Sequence, residues 1–252
     1  MLIKIVNYFL WFIMYSVFGW ITETILFAVR DKKSVKRGFL FGPLCPIYGS
    51  GAVLCTILLY GKISNFFALF FVGLLLCDTL EYITHYVLEK VFHAMWWDYS
   101  NQRFNIKGRI CLASSILFGL GVALLIKFVQ PFVINVTEKI PENIRLILAF
   151  VIYSVLIIDL ALTVQSLKNI VRSLKEIQNY LVENMQDEID KTDEKIDEMA
   201  DKIKSNAYIE NLVEKMKSGK SQLSRYKRLF PKMKFGNYKE ALEVIFPKNK
   251  NK

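Results

Sequence analysis

Long apolar runs separated by short polar connections fill the chain as far as Lys168, and beyond Val171 the apolar positions become isolated and periodic. Five runs, at approximately 5–29, 39–60, 64–90, 110–135 and 144–168, are each long enough to cross about 30 Å of hydrocarbon as helix. After them Ile189, Ile196 and Ile203 recur every seven residues, with Met199 at a d-like position and Thr192 and Asn206 in weaker ones. A seven-residue apolar repeat is the pattern of helices that pair. Asp187–Asp201 holds eight acidic residues against two basic ones, and Lys215–Lys234 holds eight basic and no acidic residues. Two such arms, joined near "KSGKS" (217–221), attract each other; the alternatives are a basic arm resting on anionic lipid and a solvated helix with no partner. The pattern predicts an all-α protein: a polytopic membrane helix bundle of about five transmembrane helices over 1–170, then a cytoplasmic helical hairpin or coiled coil over 171–252.

The short loops orient the bundle. "RDKKSVKRG" carries Arg30, Lys32, Lys33, Lys36 and Arg37, and the loop at 91–109 carries Arg103, Lys107 and Arg109. "GKIS" has only Lys62, and "VTEKIPEN" offsets Lys139 with two glutamates. Basic loops stay in the cytoplasm, which puts the N-terminus outside, the tail inside and the chain in the inner or plasma membrane. The first run is too long, and its basic cluster too late, for a cleaved signal peptide.

Composition changes little in this picture. The chain has 252 residues, 53% of them hydrophobic, and a formal net charge of +10, with a mean hydropathy of +0.30. The positive charge belongs to the inward loops and the tail, so no nucleic-acid partner is expected. Cys45, Cys55, Cys77 and Cys111 stand singly in apolar surroundings, as small buried residues do.

The polar residues inside the runs matter more, because ionisable groups in hydrocarbon are costly and mark function. "LCDTLEYITHYVLEKVFHAMWWDYS" (76–100) places Asp78, Glu81, His85, Glu89 and His93 within an arc of about 120° on a helix. At about 1.5 Å per residue, Asp78 lies about 20 Å and Glu81 about 24 Å into the third span, Glu23 about 27 Å into the first and Asp159 about 22 Å into the fifth. Arg109 opens the fourth span, while Lys127 sits at its far end and can snorkel outward. Glu23, Asp78, Glu81, His85, Arg109 and Asp159 are therefore expected to converge in the cytoplasmic half of the bilayer as a substrate- or ion-binding site. Internal pairing that locks the bundle is the structural alternative. An acidic excess in low dielectric must protonate, bind a cation or open to water. His85, Glu89 and His93, at i, i+4 and i+8, form a weak candidate for a divalent metal. No cofactor is expected.

Two flanking stretches supply supporting residues. "KRGFLFGPLCPIYGSG" (36–51) brings Gly42, Pro43 and Pro46 to the entry of the second span, and broken backbone at membrane depth binds substrates in transporters. An interfacial loop before a helix starting near Ile47 is the plainer reading. "AMWWDYSNQRFNIKGRICLASSILFGLG" (94–121) adds Trp97, Asp98 and Asn105 beside Tyr82 of the third span, and its Ser114, Ser115, Gly119 and Gly121 allow close helix packing.

"GFLFGPLCPIYGSG", "EYITHYVLE", "WWDYS" and "FNIKGRICLASSILFG" together resemble the type IV ABC-transporter permease family of bacterial membrane proteins, the CmpB-like group, over most of residues 5–165. The resemblance implies a transport permease working with a separate ATPase subunit, and carries over no residue roles. The chain has no Walker A, GxSxG, HExxH or dinucleotide glycine pattern, so an ATP-driven motor would be another chain. The loop at 91–109 is the candidate contact for it. Membrane lipids and self-association, through the membrane domain or the tail, are the other expected partners. The competing readings are an enzyme acting on a lipid or lipid-linked substrate, and a noncatalytic scaffold or sensor.

Overall fold

The computed structural model describes residues 1–31, 38–184, 203–204, 206–218, 221–230 and 233–246. Helices dominate. They are α1 (Leu2–Asp31), α2 (Pro46–Leu59), α3 (Phe66–Phe92), α4 (Leu112–Leu124), α5 (Gln130–Glu138), α6 (Glu142–Asn184), α7 (Ala207–Lys217), α8 (Gln222–Leu229) and α9 (Lys239–Ile245). Four two-residue strands complete the described elements: β1 (Ala94–Met95), β2 (Asn105–Ile106), β3 (Ile110–Cys111) and β4 (Lys234–Phe235). Two compact units form, Met1–Val87 with Asp98–Thr163, and Leu88–Trp97 with Val164–Lys252.

The first unit is the apolar bundle. Four helical stretches are long and apolar enough to cross a membrane: Leu2–Val29, Phe66–Phe92, Leu112–Glu138 and Glu142–Glu183. Their outer faces stay apolar, as lipid requires: Phe67, Phe71 and Leu75, spaced by four on α3, are exposed together. The stretch from 112 to 138 is α4 and α5 joined through a π-turn at Leu125–Val129, which ends two residues before Pro131, a residue with no N–H to give a regular ladder.

The predicted second span takes a different form. Its helix, α2, has only 14 residues and starts at Pro46, a favoured first-turn position for proline. Residues 38–45 precede it as irregular backbone, and each described backbone donor from 41 to 46 has a partner. Phe41 and Gly42 donate to Asp159 at 2.9 and 2.8 Å, Leu44 donates to the Gly42 carbonyl and Cys45 to the Ser16 carbonyl, and Pro43 and Pro46 have no N–H. Satisfying each group internally is the condition for unwound chain at membrane depth.

α2 can lie against α1 because glycines face the contact. A Cβ on Gly49 would collide with the Phe12 carbonyl and the Ser16 side chain, and one on Gly19 with the Tyr48 ring. Gly49→Leu is expected to cost about 3 kcal/mol or more through overpacking, readable as a lowered thermal unfolding midpoint in detergent. The apolar core of the contact joins Trp11, Tyr15, Ala52 and Val133. A second cluster joins Cys55, Leu59, Leu69, Val122, Ala123 and Ile126, with Gly73 of α3 fitted against Val122.

The second unit is built on the C-terminal half of α6. Leu167, Ile170, Leu174, Ile177 and Leu181 follow one another at spacings of three and four and are all buried, a heptad stripe lying upstream of the predicted repeat. The same unit buries Ile209, Val213 and Met216 of α7, Leu223, Tyr226 and Leu229 of α8, and Ala241, Val244 and Ile245 of α9. β1 pairs antiparallel with β4, Ala94 opposite Phe235. Gln178 fixes α9, donating to Glu240 at 2.6 Å and accepting from the Ala241 N–H at 3.2 Å. Of the predicted repeat, Ile203 is buried, while Ile189, Thr192, Ile196, Met199 and the acidic run lie outside the described residues. Asn206 is the N-cap of α7, accepting from the N–H groups of Tyr208 and Ile209. Of the predicted turn at 217–221, Lys217 ends α7 and Ser221 is the N-cap of α8.

Candidate functional site

Three of the predicted carboxylates stand in the first unit, Glu81 within electrostatic range of the other two. Glu23 of α1 accepts a hydrogen bond from the Tyr48 hydroxyl of α2 at 2.6 Å. Asp78 of α3 accepts from Ser115 of α4 at 2.7 Å, and Glu81, one turn on, from Tyr99 of the α3–α4 loop at 3.3 Å. Glu81 lies within electrostatic range of both Asp78 and Glu23. It is 6% exposed. The outer oxygens, Asp78 Oδ1 and Glu81 Oε2, are buried with no hydrogen-bond partner among the described residues. Neither carboxylate has a basic side chain within ion-pair distance among those residues. Burial first, and then the charge of Glu81, pushes the Tyr99 hydroxyl far above the ordinary phenol range, so it stays a donor.

The other predicted site residues stand elsewhere. Asp159 is held by the Phe41 and Gly42 N–H groups and accepts from Thr163 at 3.2 Å, so it closes the broken segment. Arg109 lies with its guanidinium 4.8 Å from the Tyr82 ring centroid and 5.1 Å from that of Tyr86, a cation–π stack. His85 is 1% exposed. Of the residues in the weak metal candidate, His85 and Glu89 lie on α3. α3 ends at Phe92, His93 turns out of it with φ 51°, and no three His, Cys, Asp or Glu residues form a metal-holding group among the described residues.

The supporting residues are mostly architectural. Gly42 approaches Asp159 so closely that a Cβ would lie 2.8 Å from its Oδ2, Pro43 is exposed, and Pro46 starts α2. Asp98 accepts from the Ser100 N–H at 2.9 Å. Asn105 donates to the carbonyls of Ser100 and Gln102 and accepts from the Gly108 N–H at 3.0 Å. Together they shape the loop that carries Tyr99, whose turns use positive φ at Phe104, Lys107 and Gly108. Trp97 is half-buried and belongs to the second unit.

Sequence reasoning missed the hydroxyl partners. Tyr48, Tyr99 and Ser115 supply the donors on which the carboxylates rest, and their sequence signal was only a polar residue in an apolar run. It also missed a neutral polar group: Tyr15 donates to Gln130 at 2.6 Å, Thr56 reaches the same oxygen at 3.3 Å, and Trp11 donates to Thr137 at 2.9 Å. Gln130 is 0% exposed and follows the π-turn. Trp11, Tyr15, Gly19 and Glu23 are spaced by four, so one face of α1 carries both polar groups. Removing one donor tests the arrangement. Tyr48→Phe is expected to cost about 2 kcal/mol, because Glu23 loses a charge-assisted hydrogen bond, measured by thermal unfolding of the purified chain.

Apolar spans with buried charge on their inner faces define a polytopic helical membrane protein. Residues 10–164 match the family described as "Putative ABC-transporter type IV", and the chain belongs to that family. Neither the curated proteins nor the solved structures contain a match.

Proposed function

We propose that the chain is the permease subunit of a transporter, driven by an ATPase on a separate chain, with Glu23, Asp78 and Glu81 contacting what is moved. The observation that carries the reading is a set of three carboxylates on α1 and α3, Glu81 in electrostatic range of the other two, and two of them with a buried oxygen that no described donor reaches. Such a group is costly in a bilayer unless it works. The basic loops favour an external N-terminus, a cytoplasmic tail and residence in the inner or plasma membrane. Membrane lipids cover the apolar faces, and self-association through the bundle or the tail completes a pathway that so few spans leave small.

Phe104, directly before β2, suits the ATPase contact: it is 79% exposed and lies between Arg103 and Lys107 in the sequence. Purification from native membrane in mild detergent, followed by mass spectrometry, should recover a nucleotide-hydrolysing chain. Phe104→Asp should lower its recovery at least several-fold while leaving the thermal midpoint of the membrane chain unchanged. Recovery of no ATPase from unaltered protein, with only lipid or a soluble enzyme bound, would sink the reading.

A further inference from the structure

We propose that Asp78 and Glu81 form a proton-binding site, with Glu81 the group that carries the proton. The inference rests on the cluster used in the permease reading and gives that cluster a ligand. The two residues are three apart on α3, and side chains at that spacing are neighbours on a helix. Each has one oxygen that accepts from a hydroxyl, Ser115 for Asp78 and Tyr99 for Glu81. Each has a second oxygen that is buried and reached by no donor among the described residues. Ser115 has one hydroxyl hydrogen and also stands 2.9 Å from the Cys111 carbonyl, so it has no second hydrogen bond to give.

The surroundings add negative charge. Glu23 of α1 acts on Glu81, and Tyr48 of α2 is engaged by Glu23. Tyr99 donates to Glu81 from the loop, with Cys111 in electrostatic range of Tyr99, and Cys77 precedes Asp78 on α3. The cations nearby in sequence are used otherwise or differ in kind: the Arg109 guanidinium lies over Tyr82 and Tyr86, and His85 is buried one turn beyond Glu81. A metal ion would need further ligands, and no group of three suitable residues exists among the described residues. A proton needs neither space nor extra ligands. It turns one unsatisfied oxygen into a donor for its neighbour and removes one of three like charges, the arrangement by which paired carboxyls share a proton.

The test is infrared spectroscopy of the full chain in lipid nanodiscs, in H2O and D2O at neutral pH. The expected result is the carbonyl-stretch band of a neutral carboxylic acid, which moves on deuteration and is missing from Glu81→Gln. In Asp78→Asn, where the neighbouring charge is gone, the band should vanish at a lower pH than in the unaltered chain. Absence of a neutral-acid band at neutral pH overturns the proposal, and that measurement needs only the unaltered protein. So does a band unchanged in both variants, or one displaced by sodium or calcium ions. Transport enters nowhere in this readout. A band without an ATPase partner keeps the proton site and removes the permease reading, and an ATPase partner without a band does the reverse.

Discussion

Asp159→Ala is expected to strip the first unit of its hold on residues 38–45 and to lower its stability by roughly 3 kcal/mol or more, since two N–H groups lose a charged acceptor. The effect should be large because the alternatives are poor. In water the Phe41 and Gly42 N–H groups would turn to solvent at little cost, whereas in hydrocarbon nothing else would bond them. Asp159→Asn keeps one acceptor oxygen and should give an intermediate loss. Thr163→Val, which removes only a 3.2 Å hydrogen bond to the same carboxylate, should cost well under half as much. Gly42→Ala should act in the same direction as the alanine change, because its Cβ would displace the Asp159 carboxylate. Thermal unfolding in detergent ranks the four variants. Equal midpoints for Asp159→Ala and the unaltered chain would mean that the broken segment finds its partners elsewhere.

Asp159 also shows where the sequence was readable and where it was not. Its depth and its charge were visible, because a lone acid in "SVLIIDLALT" has no amphipathic pattern to belong to. Its role was not, because the partners are backbone groups some 118 positions away, and backbone N–H groups leave no residue-type signal. Glu23, Asp78 and Glu81 were legible as a group for the same reason of depth. Tyr48, Tyr99 and Ser115 were not, since a hydroxyl in an apolar run is common and its direction depends on packing. The apolar spans were readable as helices from length alone, yet the second run hid a short helix behind its glycines and prolines. The length of an apolar stretch does not fix how much of it is wound. The stripe of Leu167, Ile170, Leu174, Ile177 and Leu181 is legible in the sequence, because from Lys168 on Lys, Asn, Arg, Ser, Glu and Gln stand between its members.

Two adjacent tryptophans should behave very differently in the second unit. Trp96 is 2% exposed and meets the Tyr226 ring at 5.5 Å and the Phe230 ring at 5.1 Å between centroids, both edge to face. Trp97, beside it, is half-buried. Trp96→Ala is expected to cost about 4 kcal/mol, the range for emptying a filled aromatic site, and Trp97→Ala about 1 kcal/mol. The loss should appear as faster proteolysis within the tail and an earlier unfolding step for that unit. Tyr226→Ala, which removes the facing ring, should be nearly as harmful alone. In combination with Trp96→Ala it should add less than the sum, by about 1 kcal/mol, because the edge-to-face pair is counted in both single changes. The β1–β4 pairing makes the same point through the backbone: Ala94 and Met95 register with Phe235 and Lys234, so the segment after α3 is folded together with a strand 140 residues later. A truncation before Gln222, which removes Tyr226 and Phe230 together with β4, should therefore expose Trp96 and reproduce the proteolysis of Trp96→Ala. A truncated chain whose Trp96 stayed as protected as in the full one would show that this tryptophan is buried by something other than the tail.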